Sequence, residues 1–99
     1  MLILSQWGYT MKVTIRFLLW LKEKSGTNEL TLEIKDGATI ADVFEELKRR
    51  IDGLSKYLDS VFTEHSHISV ILNGRSVNNR SYVVKDGDII ELAPLVSGG

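Results

Sequence analysis

The residues of this chain best suited to chemistry are the last three, Ser97-Gly98-Gly99. Glycine has no Cβ, so a Gly-Gly segment can lie extended or bend where other residues cannot. Such a terminus could enter a channel too narrow for side chains and present its carboxylate to the active site of another protein. The reacting group would then belong to the main chain. A frayed chain end is the alternative interpretation of the two glycines.

The side chains offer weaker candidates for chemistry. His65-Ser66-His67 could present two imidazoles from one strand face, but a metal site needs three or four ligands and the chain has no cysteine. We therefore interpret this motif as a polar loop and predict no metal site. Glu45-Glu46 is more simply a solvated helix surface than a pair of acid and base groups.

Composition limits the classes of protein that remain. The 99 residues, 43% of them hydrophobic, suffice for one globular domain. A net charge of −1 argues against a broad basic surface for nucleic acid. The absence of cysteine excludes disulfides, a thiolate nucleophile and cysteine-based metal sites. No apolar run approaches the ~20 residues of a membrane span, and Met1-Leu2-Ile3-Leu4 lacks the features of a signal peptide. We expect a cytoplasmic protein without membrane contact.

The first half of the periodic sequence predicts a hairpin followed by a helix. Alternating apolar residues predict a strand over Val13–Leu21, a turn from Glu23 to Asn28, and a second strand through Leu30, Leu32 and Ile34. The period then becomes helical, and the predicted helix carries one apolar face: Ile40, Val43, Phe44, Leu47 and Ile51. Thr39 is the predicted N-cap, with Asp42 as its capping-box partner, and Gly53 suits a left-handed stop.

The second half predicts three more strands. Residues 54–67 fit a short helix or a loop, and a third strand follows through Ile68, Val70 and Leu72. Asn73-Gly74 predicts a hairpin turn into a brief strand at Val77. Asp86-Gly87-Asp88 predicts a turn before a last strand with Ile90 and Leu92 inward, where Pro94 ends regular pairing. The predicted core comprises Val13, Ile15, Phe17, Leu32, Val43, Phe44, Leu47, Val70, Ile90 and Leu92.

Two apolar residues of the first strand, Leu18 and Trp20, are predicted to point away from the core. Two explanations remain open. The pair could form a patch that docks a partner protein. Alternatively, residues 1–10, which include Trp7 and Tyr9, could cover it.

The order of these motifs resembles a known family. The segments that carry the resemblance are Gly37 to Val43, Val70 to Gly74, Asp86 to Ile90 and Pro94 to Gly99. From Lys12 to Gly99 the chain resembles the ubiquitin-like β-grasp sulfur carriers, and most of all the MoaD-type small subunit of molybdopterin synthase. The resemblance implies an α+β fold: a mixed four- to five-stranded sheet packed on one main helix, with the first and last strands parallel in mid-sheet. Residues 1–11 would be an N-terminal extension, and residues 12–99 the carrier domain with a flexible tail over 95–99.

The resemblance also implies a carrier cycle. A ubiquitin-activating-like enzyme would use ATP to adenylate the Gly99 carboxylate, and a sulfur donor protein would convert the adenylate to a thiocarboxylate. The tail residues Pro94, Leu95, Val96, Ser97 and Gly98 would guide Gly99 into the large subunit of molybdopterin synthase. Sulfur would pass there to the precursor of the molybdenum or tungsten cofactor. The chain itself would bind no cofactor and would not be catalytic alone.

Two other classes of function remain open. One is a sulfur carrier for thiamine or for tRNA thiolation, or a modifier that forms an isopeptide through Gly99. The other is an interaction module whose Gly-Gly is inert. Thiamine carriers tend to be more compact, so the long predicted strand over Val13–Leu21 argues against them.

Overall fold

A computed structural model of the chain describes residues 10–95. The elements along these residues are β1 (Thr10–Phe17), α1 (Leu21–Ser25), β2 (Glu29–Lys35), α2 (Ile40–Arg50), α3 (Ser55–Asp59), β3 (Ile68–Leu72), β4 (Arg75–Val77) and β5 (Ile89–Pro94). The expected α+β class and the sheet of five strands are confirmed.

The five strands form one mixed sheet in the order β2-β1-β5-β3-β4. β1 pairs antiparallel with β2 and parallel with β5, and β5 pairs antiparallel with β3. The expected parallel contact between the first and last strands is therefore confirmed. Because β5 lies in the middle of the sheet, the segment that follows it leaves the fold from the centre of one sheet edge.

The first predicted strand is too long by four residues. β1 ends at Phe17, and Leu19 adopts a left-handed backbone with φ of 55°. This turn starts helix α1 within the segment interpreted as strand and turn, and Leu21 enters the core from the helix. Leu19 was predicted on the inward face but is 61% exposed. Leu21 would be buried by a continued strand and by a helical turn alike. The alternation of apolar residues therefore did not distinguish the two structures.

Helix α2 begins with the predicted capping box. The Thr39 hydroxyl accepts the amide hydrogen of Asp42 at 3.3 Å, and the Asp42 carboxylate accepts that of Thr39 at 2.9 Å. The helix packs its apolar face on the sheet. All ten predicted core residues are buried, namely Val13, Ile15, Phe17, Leu32, Val43, Phe44, Leu47, Val70, Ile90 and Leu92.

Residues 54–67 combine the two predicted possibilities, a short helix followed by a loop. α3 buries Leu58, and Leu54 and Val61 flank it in the core. The guanidinium of Arg80 closes this segment: its Nη2 lies 3.0 Å from the carbonyl oxygens of both Leu58 and Asp59 and 3.2 Å from that of Val61. The backbone carbonyl oxygen of Arg80 also accepts the amide hydrogen of Ala41, in the first turn of α2, at 3.0 Å.

Candidate functional site

The candidate site begins where strand β5 leaves the sheet. Phe17 is paired with Leu92, and Ile68 with Pro94. The end of β1, the end of β5 and the start of β3 therefore share one sheet edge. We call this edge the tail exit, because residues 96–99 follow β5 there.

Pairing continues one residue beyond Pro94. Pro94 is buried and is the last residue of β5, but the amide of Leu95 still donates a 2.8 Å hydrogen bond to the carbonyl oxygen of His67. The prediction that regular pairing ends at Pro94 is confirmed, and one further hydrogen bond follows the strand. Proline removes only its own N–H, so the next amide remains available to the ladder. The Leu95 side chain is 52% exposed.

The remaining residues of the predicted tail, Val96, Ser97, Gly98 and Gly99, lie outside the described residues. The structure describes the chain up to Leu95, the residue from which this segment continues. An extended chain spans at most about 3.6 Å per residue, so four residues beyond Leu95 could carry a carboxylate up to about 14 Å from the sheet.

The predicted partner patch, Leu18 and Trp20, is partly exposed, and the structure adds a third exposed residue, Leu19, which alternation had placed on the inward face. Leu18 is half-buried, and its amide donates to the carbonyl oxygen of Leu92 at 3.0 Å. Trp20 is 40% exposed, with its ring centroid 5.4 Å from that of Tyr57. The exposed Leu19 lies between them. Its exposure follows from the left-handed turn, for which the sequence gives no signal such as glycine or asparagine.

Whether residues 1–10 cover this patch stays a prediction, because residues 1–9 lie outside the described range. Thr10 and Met11 belong to β1, where Met11 is buried and Thr10 is paired with Lys35.

Two open depressions flank the tail exit. One, of about 670 Å³, borders the patch on the β1 side; its lining residues are Arg16, Phe17, Leu18, Leu19, Lys22, Asn28, Glu29 and Ala93. The other, of about 320 Å³, lies beside helix α3 and is lined by Lys56, Tyr57, Ser60, His65 and His67. We call the second depression the α3 cleft. His67 links it to the tail exit through the hydrogen bond from Leu95.

The titratable groups noted in the sequence are surface groups. Within residues 10–95, no three histidine or acidic side chains gather as a metal site would require. His65 lies 3.7 Å from the Glu64 carboxylate. Hydrogen bonds from Arg50 and then Arg49 hold the pKa of Glu46 below its ordinary value, as expected of an ion-paired helix surface. No helix within the described range is long and apolar enough to cross a membrane.

The tail exit brings together the main-chain ends of β1 and β5 and the start of β3, and residues 96–99 follow β5 in the sequence. The family model described as the ThiS family matches residues 15–99. The chain belongs to the ThiS family. It is thus a member of the ubiquitin-like β-grasp sulfur carriers, as the resemblance implied.

Individual relatives of this ThiS family chain carry different names. Small archaeal modifier protein 3 of Haloferax volcanii is 30% identical over 92 residues, which cover 90% of this chain and 100% of that protein. The putative molybdopterin converting factor, subunit 1, from Pyrococcus furiosus is 26% identical, with a TM-score of 0.76 over 87% of this chain and 99% of that one.

A third relative was solved together with a second protein. A chain of the Amycolatopsis orientalis BexX/CysO complex is 28% identical to this ThiS family chain. Its TM-score is 0.65, over 88% of this chain and 99% of that one.

Proposed function

We propose that this protein carries sulfur on the carboxyl group of Gly99 for molybdopterin synthesis. The observation that supports this most is the position of β5 in mid-sheet, which sends a tail ending in Gly98-Gly99 from the centre of the tail exit. The likeness to a molybdopterin converting factor subunit supports the pathway. The BexX/CysO relative supports the expectation that such folds act on partner proteins.

The chemistry proceeds in two steps on the main chain. A Gly99 carboxylate oxygen attacks the α-phosphorus of ATP, and pyrophosphate leaves. A hydrosulfide ion supplied by the donor protein then attacks the carbonyl carbon, AMP leaves, and loss of the S–H proton gives the thiocarboxylate. A carboxylate is a poor electrophile until AMP provides this leaving group. The activating enzyme supplies the positioning and the charge stabilisation for both steps. This chain contributes the narrow tail and the surface that docks it.

The partners in this proposal are an adenylating enzyme, a sulfur donor protein and the large subunit of molybdopterin synthase. The domain that docks them includes all of β1 from Thr10, and the tail contacts would come from Pro94 through Gly98. Leu95 and Val96 are the apolar residues of the tail, and they can supply contacts that offset the ordering cost of about 1–2 kcal/mol per residue. The chain needs no resident cofactor, since ATP is used by the activating enzyme.

Pyrophosphate exchange tests the proposal. The wild-type chain, mixed with its adenylating enzyme and ATP, should support ATP–pyrophosphate exchange and then gain one sulfur for one oxygen in intact mass when a sulfide source is added. Gly99→Ala should keep the melting temperature and sharply reduce exchange, because a methyl group clashes in the narrow channel. Deletion of Gly99 should abolish exchange. Normal exchange by the deletion variant would contradict the proposal.

Protein modification is a second candidate, favoured by the 30% identity to small archaeal modifier protein 3. Carrier and modifier share the activated glycine, so exchange alone does not separate them. A Gly99-dependent conjugate on a lysine of another protein would identify the modifier. Sulfur transfer to a pterin precursor with the large subunit of molybdopterin synthase would identify the carrier.

A further inference from the structure

The α3 cleft adjoins the path that the tail must take into a partner. His67 lines this cleft, and its carbonyl oxygen accepts the amide hydrogen of Leu95 at 2.8 Å. A protein that encloses the tail beyond Leu95 must therefore cover this part of the surface. We propose that the α3 cleft receives an acidic side chain of the adenylating enzyme, so that it selects a partner by charge. This inference rests on the proposed function.

The groups that line the cleft are suited to an anion. Lys56 brings an ammonium, Tyr57 a hydroxyl and the two histidines ring nitrogens, whereas the Ser60 hydroxyl already donates to the carbonyl oxygens of Lys56 and Tyr57 at 3.2 and 3.3 Å. Among residues 10–95 no carboxylate lines the cleft, and Glu64 lies 3.7 Å from Nε2 of the lining residue His65. The set is therefore rich in donors and positive charge, and poor in groups that would repel an acid.

Lys56 is the centre of this charge. Its Nζ lies 5.1 Å from the centroid of the Tyr57 ring, and among residues 10–95 no carboxylate comes within 4.0 Å of it. Lys48, by contrast, is held between Glu45 at 2.8 Å and Asp59 at 2.6 Å. The charge of Lys56 is thus available to a partner, whereas that of Lys48 is already neutralised.

The positive charge extends from the cleft toward helix α1. Lys56 and Tyr57 also line a neighbouring depression that includes Lys24. The exposed Trp20 packs on Tyr57 in the same region. Aromatic side chains flanked by lysines are complementary to an apolar surface surrounded by carboxylates. Charge complementarity of this kind steers the encounter of two proteins and contributes to their specificity.

A protein fits this surface better than RNA does. The whole chain has 13 acidic and 12 basic residues, so it lacks the broad positive field that nucleic acid requires. On the β1 side of the tail exit, Arg16 is already paired with Glu29 and Glu91. The β1 side thus holds carboxylates beside its basic residues Arg16 and Lys22, whereas the lining of the α3 cleft, within residues 10–95, has Lys56 without a carboxylate. A few carboxylates of a partner would match the α3 side.

The experiment compares two charge reversals of equal size. Lys56→Glu places a negative charge in the cleft. Lys85→Glu is the matched control: its side chain is exposed beside the 86–88 turn, next to the start of β1 and at the sheet edge opposite the tail exit. Both proteins are titrated into the adenylating enzyme at fixed ATP, and pyrophosphate exchange gives the KM for the carrier and the kcat. Thermal melting confirms that each variant is folded.

Lys56→Glu should raise the KM for the carrier by about tenfold and leave kcat unchanged, because like charges repel while the tail stays intact. Lys85→Glu should match the wild type. The difference between Lys56→Glu and the wild type should shrink as ionic strength rises, because salt screens exposed charges.

The outcomes separate this inference from the proposed function. No exchange by the wild type would overturn the proposed function and the inference with it. Normal exchange by the wild type with equal KM values for Lys56→Glu and Lys85→Glu would overturn the inference alone. A folded Lys56→Glu that loses binding to a single-stranded RNA oligonucleotide but keeps its KM would assign the cleft to RNA, and would also overturn it.

Discussion

The side chains of Asn73 and Asp88 join two turns that lie far apart in sequence. The Asn73 amide donates to Asp88 Oδ1 at 2.8 Å, and its own Oδ1 accepts the amide hydrogen of Ile89 at 2.8 Å. Asp88 is buried, with 8% of its surface exposed, and its Oδ2 accepts the amide hydrogen of Lys85 at 2.8 Å. These contacts hold the β3–β4 hairpin against the start of β5, the strand that leads to the tail.

Loss of this junction should destabilise the fold. Asn73 has φ of 50°, so Asn73→Ala loses both side-chain bonds and strains the backbone, at a cost of about 2 kcal/mol of unfolding free energy. Asn73→Gly should cost less, because glycine accepts the left-handed conformation. Urea denaturation measures both variants. An Asn73→Ala midpoint equal to that of the wild type would argue against the junction.

Arg80 should hold the segment between α2 and β3. Arg80→Ala leaves the carbonyl oxygens of Leu58, Asp59 and Val61 without its donor and removes the guanidinium from above the Phe62 ring. We expect a loss of about 2 kcal/mol and faster amide hydrogen exchange over residues 55–62. Arg80→Lys should recover only part of the loss, because an ammonium lacks the planar fork. Unchanged exchange in Arg80→Ala would contradict this role.

Asp42 should make stability depend on acid pH. The hydrogen bond from the Thr39 amide, and a smaller one from its hydroxyl, hold the pKa of Asp42 below its ordinary value. A depressed pKa stabilises the fold above the unfolded-state value, and this contribution is lost as pH falls through the folded-state pKa. Asp42→Asn should therefore be less stable by about 1 kcal/mol at neutral pH and converge with the wild type in acid. Denaturant titrations at several pH values check this, and a difference independent of pH would rule it out.

Phe44 should be the most costly core position in helix α2. It is buried on the sheet, and its ring centroid lies 6.2 Å from that of Phe62. Phe44→Ala should cost about 3–5 kcal/mol through lost burial and a residual cavity. Phe44→Leu should cost less, since it retains most of the volume. Chemical denaturation gives both values, and a loss below about 1 kcal/mol for the alanine variant would be incompatible with this packing.

Trp20 should matter for binding more than for folding. Trp20→Ala should weaken association with the adenylating enzyme by ~2 kcal/mol, as aromatic residues at the centre of interfaces commonly do. Its effect on unfolding should be small, because the side chain is 40% exposed. Tyr82→Ala, at a residue 47% exposed, is the control because Tyr82 lies beside Asn73, at the edge opposite the tail exit. Calorimetric titration measures the affinities, and equal values for the three proteins would exclude a docking role for Trp20.

The sequence by itself determined the order of the five strands and of helix α2, ten residues of the core and the capping of α2. Alternation at period 2 and spacing at period 3.6 depend only on which face of an element is apolar, so residues such as Val13 and Phe44 were correctly predicted as buried. The turn at Asn73-Gly74 followed from local backbone preferences. The motifs at 86–88 and 94–99 led to the family.

Only the tertiary structure decided what lies around the tail. Leu19 leaves the core because a left-handed residue starts α1, and alternation does not encode that choice. β3 starts where β5 ends, which places His67 of the α3 cleft beside Leu95 although they are 28 positions apart in the chain. Strand order brings these residues together through contacts distant in sequence, and a periodic pattern read along one element contains no information about its neighbours.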